Sequence, residues 1–155
     1  MLAGGFAMAA WGSARATLDL DLVVDEASRE TLLSRMRNEG FEVIFDSAGF
    51  TNLLHPDPAL GRLDLIWVEG DTSAKLFEAA IERTGPDGRL LLIPRPEHLV
   101  AMKLRAIQSR ATRVTRDSPD LQHLLALPGI DHNEVRGYFE RAGLRELYER
   151  LKPPS

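Results

Sequence analysis

The sequence contains no cysteine. That excludes a disulfide frame, a thiol nucleophile and a thiolate zinc site. Its four histidines, His55, His98, His123 and His132, are scattered without the spacing of an imidazole metal site. No apolar run reaches membrane-spanning length, and the start lacks the charged segment of a secretory signal. There is no excess of positive charge. The 19 Lys and Arg stand against 23 Asp and Glu, a formal net charge of −4, so any contact with nucleic acid must be local. Internal repeats and low-complexity segments are missing too. These absences leave a cytoplasmic globular protein, without membrane association, as the expectation.

What is present suits a packed core. Hydrophobic residues make up 44% and charged residues 27% of the 155 positions, the usage of an ordinary globular chain. That length suits one domain, or one domain with a small helical annex. The densest chemistry lies near the start. Gly4-Gly5 follows a short apolar segment that reads as a strand end, and residues 6–11 read as a short helix. Glycine there lets a phosphate approach the backbone, or makes a tight turn over small residues. Residues 16–24 then read as a strand. Its alternation puts Asp19 and Asp21 on one face and Leu18, Leu20 and Leu22 on the other. Carboxylates two residues apart on a strand lie about 7 Å apart along it. They can converge on divalent cations; without a cation they repel.

The rest of the chain alternates helices and strands. Asp25 is a candidate N-cap for a helix to residue 38, with Leu32, Leu33 and Met36 inward and Arg29, Glu30, Arg35 and Arg37 outward. Strands are expected over 41–45 and 50–55, joined by a turn at 46–49, and again over 62–68. Asp64 interrupts that last apolar strand. It either faces solvent or meets a cation or a donor. A helix is expected over 73–83, a turn at 85–88 and a short strand over 90–93. Pro96 near a first helical position opens a helix to about residue 109, with Lys103 inside its apolar stripe. Such a lysine snorkels to the rim or meets an anion.

Lys103, Arg105, Arg110, Arg113 and Arg116 span fourteen residues with no acid among them. They read as phosphate contacts or, for the outer arginines, as a solvated face. Ser118-Pro119 reads as the start of a helix to residue 127, which would make Asp120 a first-turn acid complementing the helix dipole. Asp131 or Asn133 caps another helix, and a last one covers 144–151.

Taken together, Gly4-Gly5, a short helix, Asp19-Leu20-Asp21 on a strand and Asp64 on a later strand resemble the nucleotidyltransferase superfamily that includes DNA polymerase beta. The stretch Arg15-Ala16-Thr17-Leu18-Asp19-Leu20-Asp21 is the most specific part. Pro96-Glu97-His98-Leu99-Val100-Ala101-Met102-Lys103, followed by Arg116-Asp117-Ser118-Pro119-Asp120-Leu121, is similar to the AbiEii-type toxin branch. The resemblance covers roughly residues 2–127. The glycine pair arrives earlier than in the family, where a helix often precedes it.

The resemblance implies an α+β fold: a small mixed sheet carrying the three acids, flanked by helices, with C-terminal helices. Residues 1–94 would form the core, and 95–155 the helical part of the same domain. It implies a metal-dependent enzyme moving a nucleoside monophosphate from an NTP to a hydroxyl. Asp19, Asp21 and Asp64 would be the catalytic acids and would hold Mg²⁺ or Mn²⁺. Gly4 and Gly5 would give phosphate access to the backbone, with Arg15 and Thr17 supporting the site. Lys103 would contact the triphosphate as a point charge, and Asp120 would orient Lys103 or the substrate. The acceptor would be RNA (a tRNA end, for instance), a protein or a small molecule, and an antitoxin a possible protein partner. Two alternatives stand beside this: a catalytically silent nucleotide-binding or toxin–antitoxin partner module, and a plain α+β protein whose acids do not converge.

Overall fold

A computed structural model describes residues 1–13, 17–85 and 87–153. The fold is α+β, and the chain divides into two compact units, Met1–Pro94 and Arg95–Ser155.

The first unit opens with helix α1 (Gly4–Ala10) and strand β1 (Leu20–Asp25). The Asp25 carboxylate accepts from the Ala27 amide at 2.9 Å and caps a 3₁₀ turn over Glu26–Ser28 rather than the helix itself. Helix α2 (Arg29–Asn38) follows, then strands β2 (Glu42–Ser47), β3 (Phe50–Leu54) and β4 (Arg62–Val68). Next come α3 (Gly70–Glu78) and the hairpin strands β5 (Ile81–Thr84) and β6 (Leu90–Ile93). Residues 81–83, expected to end a helix, instead belong to β5, which pairs with β6. Ile81 and the β-branched Thr84 suit a hairpin strand better than a helix end.

The main sheet has the order β1-β4-β3-β2, with β1 and β4 parallel and the other pairs antiparallel. The parallel pair is why the acids of β1 and β4 share a register. One face of the sheet packs its core. Leu53, Leu63, Leu65 and Trp67 are buried with Leu33 of α2, and Leu22, Val24, Leu32 and Met36 pack around them. Toward this core β1 turns Leu22 and Val24, while its fully buried residue, Val23, lies on the opposite face. Leu18 is 95% exposed and Leu20 partly so, because β1 starts only at Leu20 and the apolar packing begins at Leu22.

Residues 1–3 run extended between the two sheets. Val23 N–H donates to the Met1 carbonyl, Ala3 N–H to the Asp21 carbonyl and Leu2 N–H to the Leu92 carbonyl, each at 2.8 Å. The reading of this segment as a strand end is supported by its bridge, Leu2 to Leu22. It sets the start of α1 directly over Asp21.

Arg29, expected on the solvent face, is a clamp. Its Nε donates to Glu26 at 2.6 Å, and its terminal nitrogens donate to Asp46 and to the Ser47 and Ala48 carbonyls at 2.7–3.0 Å. The guanidinium lies 4.5 Å above the Trp67 ring. Trp67 Nε1 donates to Thr51 at 2.8 Å, and Thr51 donates to Asp46. One cation thereby ties the helix start to the β2–β3 turn and to the core.

The second unit is helical: α4 (Pro96–Ser109), α5 (Arg113–Leu125), α6 (His132–Arg141) and α7 (Arg145–Leu151). Its core includes Leu99, Val100, Leu104, Leu121, Leu124, Val135 and Phe139. Asp131 caps α6 through the Asn133 and Glu134 amides. Helix α5 begins five residues before the expected Ser118 cap, and Pro119 lies inside it. Ser118 there donates to the Val114 carbonyl at 2.6 Å. Proline withholds the N–H that the Thr115 carbonyl would accept; Thr115 is exposed, so water can take its place.

The clamp carries a stability prediction. Arg29→Ala removes several charge-assisted hydrogen bonds and a cation–π contact, partly offset by the exposure of Asp46. The expected loss is about 1–3 kcal/mol in urea unfolding, with Arg29→Lys recovering only part of it.

Candidate functional site

Three polar residues line up across the face of the sheet opposite the α2 core. Asp21 on β1 pairs in register with Asp64 on β4, and Asp64 pairs with Asn52 on β3. Partners in register point to the same face, so the row is Asp21, Asp64, Asn52 across three adjacent strands, each about 4.8 Å from the next. Asp64 is buried, at 7% exposure. Of the two environments left open for it, solvent or a partner, it has the partner. Its Oδ1 accepts from Asn52 Nδ2 at 2.6 Å and from Arg62 Nε at 2.8 Å.

Arg62 binds the acids together electrostatically. Its hydrogen bond to Asp64 raises its pKa above the usual arginine value, against burial, and the charges of Asp64, Asp19 and Asp21 add to the effect. Asp19 lies just before β1, half-buried, and Thr17 donates to its carbonyl at 3.2 Å. All three acids therefore lie within the field of one guanidinium. Among the described residues, no three His, Asp or Glu side chains draw together as a ready metal-ligand group.

Gly4 and Gly5 are the first residues of α1 rather than a turn preceding it. Gly4 has φ +53°, and a Cβ there would fall within the Asp21 carboxylate. A Cβ on Gly5 would lie 2.6 Å from Cβ of Thr17. Both glycines are thus required by the close approach of site residues. Gly4, Gly5, Thr17, Asp19, Asp21 and Asp64 form one neighbourhood. Arg15 lies outside the described residues.

In the second unit, Lys103 meets anions. Its Nζ lies 2.6 Å from Asp120 and 3.4 Å from Asp117, with the acid side chains at 4% and 2% exposure. Arg113 Nε reaches the other Asp117 oxygen at 3.0 Å. Asp120 is therefore a mid-helix ion-pair partner, not a first-turn acid. Two cations of the basic run are committed to these acids, whereas Arg105, Arg110 and Arg116 are exposed.

Sequence reasoning gave no role to Arg62, Asn52 or Asp117. Arg62 was readable: Arg62-Leu63-Asp64 alternates, which puts both charges on one strand face. Asn52 was not, because its place depends on a pairing between strands. The donor chemistry suits a hard divalent ion, since the site offers carboxylate oxygens and neither sulfur nor imidazole.

The buried pair in the second unit is directly testable. Lys103→Met leaves Asp120 and Asp117 with less compensation in a nearly dry setting, where removing one partner costs about 3–5 kcal/mol. Arg113 still holds Asp117, so the lower end is expected in thermal or urea unfolding. The double variant Lys103→Met/Asp120→Asn should recover part of the loss.

No family model matches the chain, and no curated protein matches it by sequence. Its fold has solved counterparts. It is similar to the solution structure of the antibiotic-resistance factor ANT(2'')-Ia, with a TM-score of 0.67 and 17% identity over 97% of this chain and 83% of that one. It is likewise similar to the crystal structure of ANT(2'')-Ia in complex with adenylyl-2''-tobramycin, with a TM-score of 0.66 and 16% identity over 95% of this chain and 87% of that one. At this identity the likeness shows a shared fold.

Proposed function

We propose that the protein is a metal-dependent nucleotidyltransferase that moves a nucleoside monophosphate from an NTP to a hydroxyl acceptor. One observation carries the reading: Asp21 and Asp64 stand side by side in register on parallel strands, with Gly4 held directly over Asp21. A plain α+β protein with dispersed surface acids would not bury Asp64 in this row.

In this reading Asp19, Asp21 and Asp64 hold Mg²⁺ or Mn²⁺. When bound, such an ion would supply charge neutralisation for the phosphates and a lowered pKa for the attacking hydroxyl. The chain's own part is positional. Hydrogen bonds from residues 1–3 fix the start of α1 against β1, and the missing Cβ of Gly4 keeps backbone amides open beside the carboxylates. Thr17 braces Gly5, and Arg15 joins it in supporting the phosphates. The sequence resemblance assigns Lys103 to the triphosphate as a point charge and Asp120 to the orientation of Lys103. The ion pair between them fits that division of labour. Transfer of this kind needs held phosphates and an in-line hydroxyl more than a side-chain nucleophile.

The fold neighbour in complex with adenylyl-2''-tobramycin supports a small-molecule hydroxyl as acceptor. RNA and protein acceptors, the AbiEii-type toxin role and an antitoxin partner rest on the sequence resemblance. The commitment of Lys103 and Arg113 to acids leaves less cationic charge for a polyanionic acceptor. No helix among the described residues is long and apolar enough to cross a membrane. A silent nucleotide-binding or toxin–antitoxin partner module is the second reading, favoured by the Arg62 guanidinium already seated on Asp64.

A thermal-shift panel tests the binding half of the proposal. Each of the four NTPs is added with and without Mg²⁺ or Mn²⁺, to wild type and to Asp21→Asn. A ligand that binds only the folded state raises the melting temperature by mass action. We expect a metal-dependent rise with at least one NTP, lost in Asp21→Asn. The variant itself should remain folded and, without metal, be as stable as wild type or more so, because a carboxylate repulsion is relieved. Turnover separates the two readings: transfer of labelled nucleotide marks an enzyme, and binding without transfer a silent module. An equal shift in wild type and Asp21→Asn would remove Asp21 from the site.

A further inference from the structure

Asp64 is the most deeply buried acid of the row, and a buried carboxylate needs compensation. Arg62 supplies it from two residues away on the same strand. Arg62 Nε and Asn52 Nδ2 converge on the same oxygen, Oδ1. The two donors differ in freedom. The Asn52 residue is itself buried, whereas the Arg62 side chain is 41% exposed and can rotate into water without disturbing the sheet. Arg62 also feels Asp19 and Asp21. One guanidinium therefore balances the acids that, in the function proposed above, hold the divalent ion.

A guanidinium and a divalent cation on one carboxylate repel each other. The repulsion rises with the charge of the ion and falls only slowly with distance near a protein surface. The carboxylate row cannot satisfy both at full strength. We infer that Arg62 is the resident counter-ion of the row, and that a divalent cation binds by displacing it from Asp64. Affinity for the metal is then set by this competition. Release of Arg62 accompanies metal binding and turns its guanidinium toward solvent. The inference rests on the metal-binding role proposed above and assigns Arg62 a positioning role, acting through Asp64.

Titration with MnCl₂, read by the electron paramagnetic resonance of free Mn²⁺, tests it without any turnover. Wild type, Arg62→Gln, Arg62→Lys and Asp64→Asn are compared. Removing the competitor should tighten Mn²⁺ binding by about five- to twentyfold in Arg62→Gln, within the usual span of coupling between two ligands. Arg62→Lys keeps the charge and should stay close to wild type. Asp64→Asn should bind weakly. A second measurement needs no variant beyond one for assignment: the Nε–H resonance of Arg62 should move as MgCl₂ saturates the wild-type protein. Equal or weaker Mn²⁺ binding in Arg62→Gln, or an Arg62 resonance that stays fixed while Mg²⁺ binds, overturns the inference and leaves the proposed function standing. Wild-type Mn²⁺ binding that does not depend on Asp64 overturns both.

Discussion

The parallel pairing of β1 with β4 is the constraint on which the rest depends. It puts two carboxylates side by side, Asp21 and Asp64, on the face away from the α2 core. A one-residue slip in that pairing would move Asp64 to the core side and Leu65 to the polar side. Leu22, Val24, Leu63, Leu65 and Trp67 hold the register because their burial requires it. Apolar packing on one face thus fixes the geometry of charge on the other. The sheet can carry these neighbouring acids because Asn52 and Arg62 donate to Asp64 and offset the cost of burying its charge.

The glycine pair belongs to the same arrangement. Residues 1–3 hydrogen-bond to β1 and β6, and the helix start is thereby pressed onto Asp21. Only a residue without a side chain fits there, at positive φ. The second unit solves a related problem by itself. Lys103, Arg113, Asp117 and Asp120 cancel within a helical core, with the acids nearly dry. Such a network links α4 to α5 through Lys103, and its net contribution is small because desolvation offsets the attraction.

Much of this was legible in the sequence where the determinants are local. Periodicity marked β4 at Arg62–Val68 and β6 at Leu90–Ile93, and Pro96 marked the start of α4. Misreadings occurred where tertiary context overrode a local signal. Ser118-Pro119 has the chemistry of a helix start, yet α5 runs through it, because Ser118 turns its hydroxyl to Val114 and Thr115 is open to water. Arg29 has the pattern of an outward residue, yet its partners Asp46, Ser47 and Ala48 come from a distant turn. The resemblance named the three acids, and the alternation that places Arg62 beside Asp64 could be read from the sequence. Asn52 could not, because which strand lies next to β4 is a property of topology.

The most direct test is a crystal structure of the protein with Mn²⁺ and a non-hydrolysable NTP analogue, with manganese located by anomalous scattering. The account predicts at least one manganese within about 2.0–2.4 Å of carboxylate oxygens from both Asp21 and Asp64, bridged to the triphosphate. Manganese bound elsewhere, or nucleotide bound with the carboxylate row untouched, would contradict it.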